Sequence, residues 1–237
     1  MLISNLNNSF KRYDFMVKAV IFDMYETLIT HYAYPLYFSE EMAMDAGIPL
    51  EEFRKEWRAT EHDRSVGKFT TDEVISDILH RHLCYSDEKL LILMSKRIHT
   101  KEECFKHLHL EIVPLLKSLK EKGILIGLIS NCFSEEAKVI RESILYPYFD
   151  AALLSCEEGV EKPDKEIFHR CMKALKLKPE EFIYVGDGGS QELEAANSLG
   201  MYPLQALWYR NKQSEHVIKR KDGFVQLDNP MDILNYL

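Results

Sequence analysis

The run Ala19-Val20-Ile21-Phe22 constrains the fold most, because it is apolar at every position and closes on a carboxylate, Asp23. So short and β-branched a run reads as a strand. With no polar side, it is buried on both faces, as in a parallel sheet. Ligand crevices in open parallel sheets lie at the carboxyl ends of the strands, which puts Asp23 where chemistry is done. Taken alone, the segment fits a turn-capping carboxylate equally well.

Two more runs repeat the pattern. Ile124 to Ile129 ends in Ser130-Asn131, and Phe182 to Val185 ends in Gly186-Asp187, with Glu192 five residues after the aspartate. Between them, Glu161-Lys162-Pro163-Asp164 is a loop with a helix start behind it, and Lys162 is its one cation. Helical segments alternate with the strands. Ile112 to Lys122 stops at Gly123, Ser134-Glu135-Glu136 opens the next helix, and Asp164 opens Lys165 to Leu177. A helix begins near Ser190, Met201 to Trp208 and Phe224 to Leu227 read as later strands, and a short helix follows Met231. Such alternation specifies an α/β fold built on a doubly wound parallel sheet.

The ordered set Asp23, Ser130-Asn131, Lys162 and Gly186-Asp187 with Glu192 resembles the four motifs of the haloacid dehalogenase (HAD) superfamily of hydrolases, over about Val17 to Leu237. From Thr30 to about His109 the texture changes to helical periodicity. One helix carries Leu36, Phe38, Met42 and Ala46 and stops at Gly47. Pro49 opens another with Leu50, Phe53, Trp57 and Glu61. Thr70 or Thr71 caps a third, and Ser86 a fourth. Four amphipathic helices make a small bundle, and its place after the first motif matches the α-helical (C1-type) cap of that superfamily. The expected division is an extension at 1–16, an α/β core at 17–30 and 110–237, and a cap at 31–109.

Composition bears on partners and compartment. A net charge of −8 argues against nonspecific nucleic-acid binding, which needs a basic footprint. Five scattered cysteines suit reduced thiols in a cytoplasmic protein. No apolar stretch is long enough to span a membrane, and the first sixteen residues lack the apolar core of a signal peptide.

The resemblance implies a set of roles. Asp23 would be the nucleophile, forming a covalent intermediate that water opens. Ser130 and Asn131 would hold the electrophile's oxygens, and Lys162 would neutralise charge shared by nucleophile and substrate. Asp23, the Tyr25 carbonyl and Asp187 would bind Mg²⁺, an ion that favours such oxygen ligands. Glu192 would orient metal-bound water from behind. The implied activity is a Mg²⁺-dependent phosphohydrolase acting on a small phosphorylated metabolite through an aspartyl-phosphate. Neither a dinucleotide fingerprint nor a phosphate-binding Gly-Lys-Ser/Thr loop is present.

Tyr25 departs from the family's phosphatase pattern, which places a proton-donating Asp there. Losing such an acid costs ~10²–10⁴-fold. Tyrosine at this position resembles the metal-independent 2-haloacid dehalogenases, as does Trp57-Arg58. Asp187, and Phe168 in place of a substrate-site tyrosine, oppose that reading. A weakly catalytic binding or regulatory protein on the same fold is a third alternative. Glu26 is a candidate replacement proton donor, and Arg58, Arg64 and Lys68 are candidate substrate contacts from the cap. His80, His82, His107 and His109 are expected at the surface, and Met42, Met44 and Met94 in helix packing.

Overall fold

The computed structural model describes residues 16–237, so all of the expected N-terminal extension except Met16 lies outside the described residues. The chain forms one six-stranded sheet, parallel at every pairing, in the order β3-β2-β1-β4-β5-β6. The strands are β1 (Ala19–Phe22), β2 (Leu125–Ser130), β3 (Ala151–Leu154), β4 (Phe182–Gly186), β5 (Tyr202–Ala206) and β6 (Val225–Leu227). The order reverses direction at β1, between β2 and β4, and the crevice outside such a switch point is where a ligand fits.

Both faces of β1 are covered, as its unbroken apolar run requires. Val20 and Phe22 join a cluster with Ile126, Leu128 and Val185 under helix α6 (Ile112–Glu121). Ala19 and Ile21 face the opposite cluster, with Phe168 of α9 (Lys165–Leu175) and Leu193 of α10 (Glu192–Leu199). This period-two division places helices on the two sides of the sheet.

Between β1 and α6 lie α1 (Ser39–Ala46), α2 (Leu50–Ala59), α3 (Glu61–Ser65), α4 (Thr71–Arg81) and α5 (Asp87–Lys106). They gather around a core of their own: Met42, Phe53, Ile75, Leu79 and Leu93 are buried together, apart from both sheet clusters. The local signals act as expected. Gly47 ends α1 with φ +72°, Thr70 caps α4 reciprocally with Glu73, and Ser86 caps α5. The short α3 was not foreseen, because one turn of helix leaves no periodicity to read.

Four local expectations fail. Helix α1 begins only at Ser39, so Leu36 and Phe38 lie outside it. The Ser134 hydroxyl does not cap its helix, α7 (Ser134–Glu142), because it accepts the backbone N–H of Thr71 at 3.1 Å. The Glu136 carboxylate instead secures that helix start through Phe133 N at 2.9 Å. Met44 is 77% exposed rather than packed, since α1 turns Met42 and Ala43 inward. His82 is not a free surface group: Nε2 lies 2.7 Å from Glu56 at the base of α2.

Candidate active site

The first site residue follows directly from β1. Asp23 N donates to the Val185 carbonyl of β4 at 2.9 Å, so the ladder hands Asp23 to the switch point at the moment the strand ends. β4 likewise delivers Asp187, and a loop brings Lys162 over from the far side of β2. All three are at least 93% buried, and the Lys162 ammonium donates to the Asp23 carboxylate.

Glu192 completes the cluster. Carboxylate oxygens of Asp23, Asp187 and Glu192 all lie within 4.8 Å of one another. Both Glu192 oxygens are already used: one accepts Gly188 N at 2.6 Å and the other Ser190 N at 2.7 Å. Glu192 thereby folds the loop that carries Asp187. Gly188 adopts φ +95°, where a side chain would be strained and would also meet Lys221. Asp187 Oδ1 accepts Gly189 N at 3.0 Å, leaving its other oxygen free.

Three acids and one ammonium buried together cannot all stay charged at ordinary values. Burial, offset in part by Lys162, pushes the Asp23 carboxyl up to about 6. Burial and the charges of Glu192 and Asp23 push Asp187 up to about 8. The donor set is all oxygen and the excess charge is negative, so these residues fit a small divalent cation such as Mg²⁺.

Ser130 and Asn131 arrive at the end of β2. The Asn131 amide is occupied in both directions by the main chain of Lys162: Nδ2 donates to its carbonyl at 3.0 Å and Oδ1 accepts its N–H at 2.8 Å. Asn131 is therefore a clamp on the lysine loop. The Ser130 hydroxyl is buried, and its one partner is the weakly placed Asn131 carbonyl at 3.4 Å.

Tyr25 is half-buried and stacks on His31, with ring centroids 4.4 Å apart, and its hydroxyl is buried without a partner. Beside it, Glu26 is locked by Thr30 Oγ1 (2.5 Å), His31 N (3.0 Å) and His31 Nδ1 (3.1 Å). Burial opposes its charge, but the His31 and Thr30 hydrogen bonds win and hold its carboxyl below the ordinary value. Glu26 is thus an ionised acceptor, contrary to its candidacy as proton donor.

A cavity of about 330 Å³ opens between these residues and the inserted helices, lined among others by Tyr25, His31, Trp57, Arg58, Lys101 and Asn131. Ion pairs that sequence reasoning missed hold its walls. Arg97 of α5 pairs with Glu135 of α7, which Thr71 also donates to, and Lys101 bridges Glu136 (2.7 Å) and His31 Nε2 (2.7 Å). Burial works against the Glu136 charge, but Lys101 and Arg97 bring its carboxyl down to about 2. These partners lie 35 to 70 residues apart, with no spacing to mark them. Of the three cap cations singled out, Arg58 lines the cavity. Arg64 is fully buried with its guanidinium 3.4 Å from the Trp57 ring centre, and Lys68 lies exposed beside Asp63. Phe168 packs on Tyr184 in the sheet core.

A parallel sheet with a carboxylate, a lysine and an acidic loop at its switch point defines a class. Residues 17–200 match the model of the haloacid dehalogenase-like hydrolases, and the chain belongs to that family. Among curated relatives, a glyceraldehyde 3-phosphate phosphatase of Methanopyrus kandleri is 27% identical over 93% of this chain and 97% of its own length. A protein of the same name from Methanocaldococcus jannaschii is 27% identical over 84% of this chain and 89% of its own. Among solved structures, a HAD phosphatase from Thermococcus onnurineus superposes with TM-score 0.65 at 20% identity, over 92% of this chain and 97% of that one. A 2-haloacid dehalogenase from Pseudomonas syringae also reaches 0.65 at 20% identity, over 93% and 98%. At that identity these two establish the shared fold.

Proposed function

We propose that the chain is a Mg²⁺-dependent phosphohydrolase that cleaves a small phosphorylated metabolite through an aspartyl-phosphate on Asp23, with residues 31–109 acting as a cap over the site. One observation carries the reading: three buried carboxylates converge within 4.8 Å around a single buried lysine. A metal-free dehalogenase has no use for that excess of negative charge. The names of the two phosphatase relatives support the same substrate class.

Asp23 and Asp187 would hold the ion with the Tyr25 carbonyl, while Glu192, its oxygens committed to Gly188 and Ser190, shapes the loop from behind. The ion, when bound, neutralises phosphoryl oxygens and the carboxylates around them. The chain's residues do the rest. Lys162 holds one Asp23 oxygen and orients the carboxylate for attack on phosphorus. Asn131 keeps the lysine in position through its backbone. Attack breaks the bond from phosphorus to the leaving oxygen, and water then hydrolyses the acyl phosphate to regenerate Asp23. The cavity is of a size for a small ligand.

Neither Tyr25 nor Glu26 replaces the family's proton-donating Asp, since Glu26 is ionised and burial raises the Tyr25 hydroxyl well above its ordinary value. The enzyme should therefore favour good leaving groups. A series of aryl phosphates should show kcat/KM falling steeply with leaving-group basicity, and a flat series would contradict this. Tyr25 is also what keeps a dehalogenase reading alive. Release of chloride from 2-chloropropionate in chelator would establish it.

A further inference from the structure

Two thiols with no part in this chemistry meet just past the end of β2. Cys132 follows Asn131 directly and is buried, and its Sγ lies 4.0 Å from that of Cys156 in α8 (Ser155–Glu158). The two segments are already tied. Ser155 Oγ accepts Cys132 N at 3.0 Å and donates to the Cys132 carbonyl at 3.2 Å. Cys156 is half-buried and faces an open groove of about 410 Å³ bordered by Lys138 and Arg141, so one thiol is reachable by a small oxidant and the other waits behind it. The Cys132 thiol, hydrogen-bonded to Cys156, lowers the Cys156 value against burial and the charges of Glu157 and Glu136, while the same contact and burial raise its own.

We infer that Cys132 and Cys156 form a peroxide-responsive dithiol whose disulfide loosens the Asn131 clamp on Lys162. The Cys156 thiolate attacks a peroxide oxygen, the O–O bond breaks, and hydroxide leaves and takes up a proton, giving a sulfenic acid. Cys132 then gives up its proton and attacks that sulfur; the S–S bond forms, the S–O bond breaks, and a second water leaves. Two electrons pass from the thiols to the peroxide. The sulfurs must close from 4.0 Å to the ~2.05 Å of a disulfide, and the main chain that moves on one side is the one carrying Asn131. On the other side, Gly67 packs closely on the Cys156 carbonyl, where a Cβ would lie 1.9 Å away, so α8 has little room toward the inserted helices.

The bond stands independently of the phosphatase reading, whereas its effect on turnover rests on that reading. The full chain should be treated with hydrogen peroxide and followed by peptide mapping and by deuterium exchange of the Lys162 amide, which Asn131 Oδ1 holds. The expected result is a mass loss of about 2 Da, a Cys132–Cys156 cross-link and exchange at least about tenfold faster, all reversed by dithiothreitol. Cys156→Ser and Cys132→Ser should each abolish every change. Oxygen addition at either sulfur without a cross-link overturns the pair, and a cross-link with unchanged exchange overturns its action on the clamp. Fast exchange without any phosphatase turnover in either form supports this inference and counts against the phosphatase reading alone.

Discussion

Tyr25 is where this chain asks most of a single residue. Its hydroxyl is buried with no partner, so Tyr25→Phe removes only an orphan polar atom. The variant should be as stable as the wild type or more so, and kcat toward p-nitrophenyl phosphate should stay within about threefold; a loss of ~10²-fold or more would make Tyr25 the missing acid. Asn131 lies at the opposite extreme, with both ends of its amide committed to Lys162. Asn131→Ala should lower kcat by about tenfold to a hundredfold with the fold intact by circular dichroism, the scale expected when a positioning contact is lost. Asp23, Lys162, Asp187 and Glu192 were all legible in the sequence, because each follows a strand or sits in a loop at fixed order. What Asn131 does was not. A serine-asparagine pair after a strand names possible donors, and only the crossing of the Lys162 loop decides which partner they take.

At the scale of elements, the helices between β1 and α6 meet the sheet domain through buried charge. Glu135 and Glu136 of α7 receive Arg97, Thr71 and Lys101 from the inserted helices. Breaking a buried pair leaves an uncompensated ion, so Glu135→Ala should cost about 3 kcal/mol in urea unfolding. Glu136 supplies a pH signature. Its carboxyl sits at about 2 instead of the ordinary 4.5, so its stabilisation is present above pH 4.5 and is lost as pH falls toward 2. Stability measured across that window should fall less steeply for Glu136→Gln than for the wild type. The helices themselves were readable from Gly47, Thr70, Ser86 and their apolar spacing. Their docking was not, since Ser134 looks like an N-cap in one dimension and binds Thr71 in three.

At the scale of the molecule, the parallel sheet places a negative cluster at its switch point, and a cavity reaches the site at Tyr25 and Asn131. The alternation of runs and helices made that sheet legible, while the cavity walls depend on contacts such as Lys101 with His31 that no local pattern announces. An ion that binds only the folded state stabilises it by mass action. Mg²⁺ should therefore raise the melting temperature, and Asp187→Asn should remove the response. The central claim rests on Asp23 acting with Mg²⁺ as a phosphoryl acceptor, and its most direct test is hydrolysis of p-nitrophenyl phosphate by wild type and Asp23→Asn, each with Mg²⁺ and with chelator. Turnover only in the wild type with Mg²⁺ is the predicted result. Turnover that survives Asp23→Asn, or that proceeds equally in chelator, would contradict it.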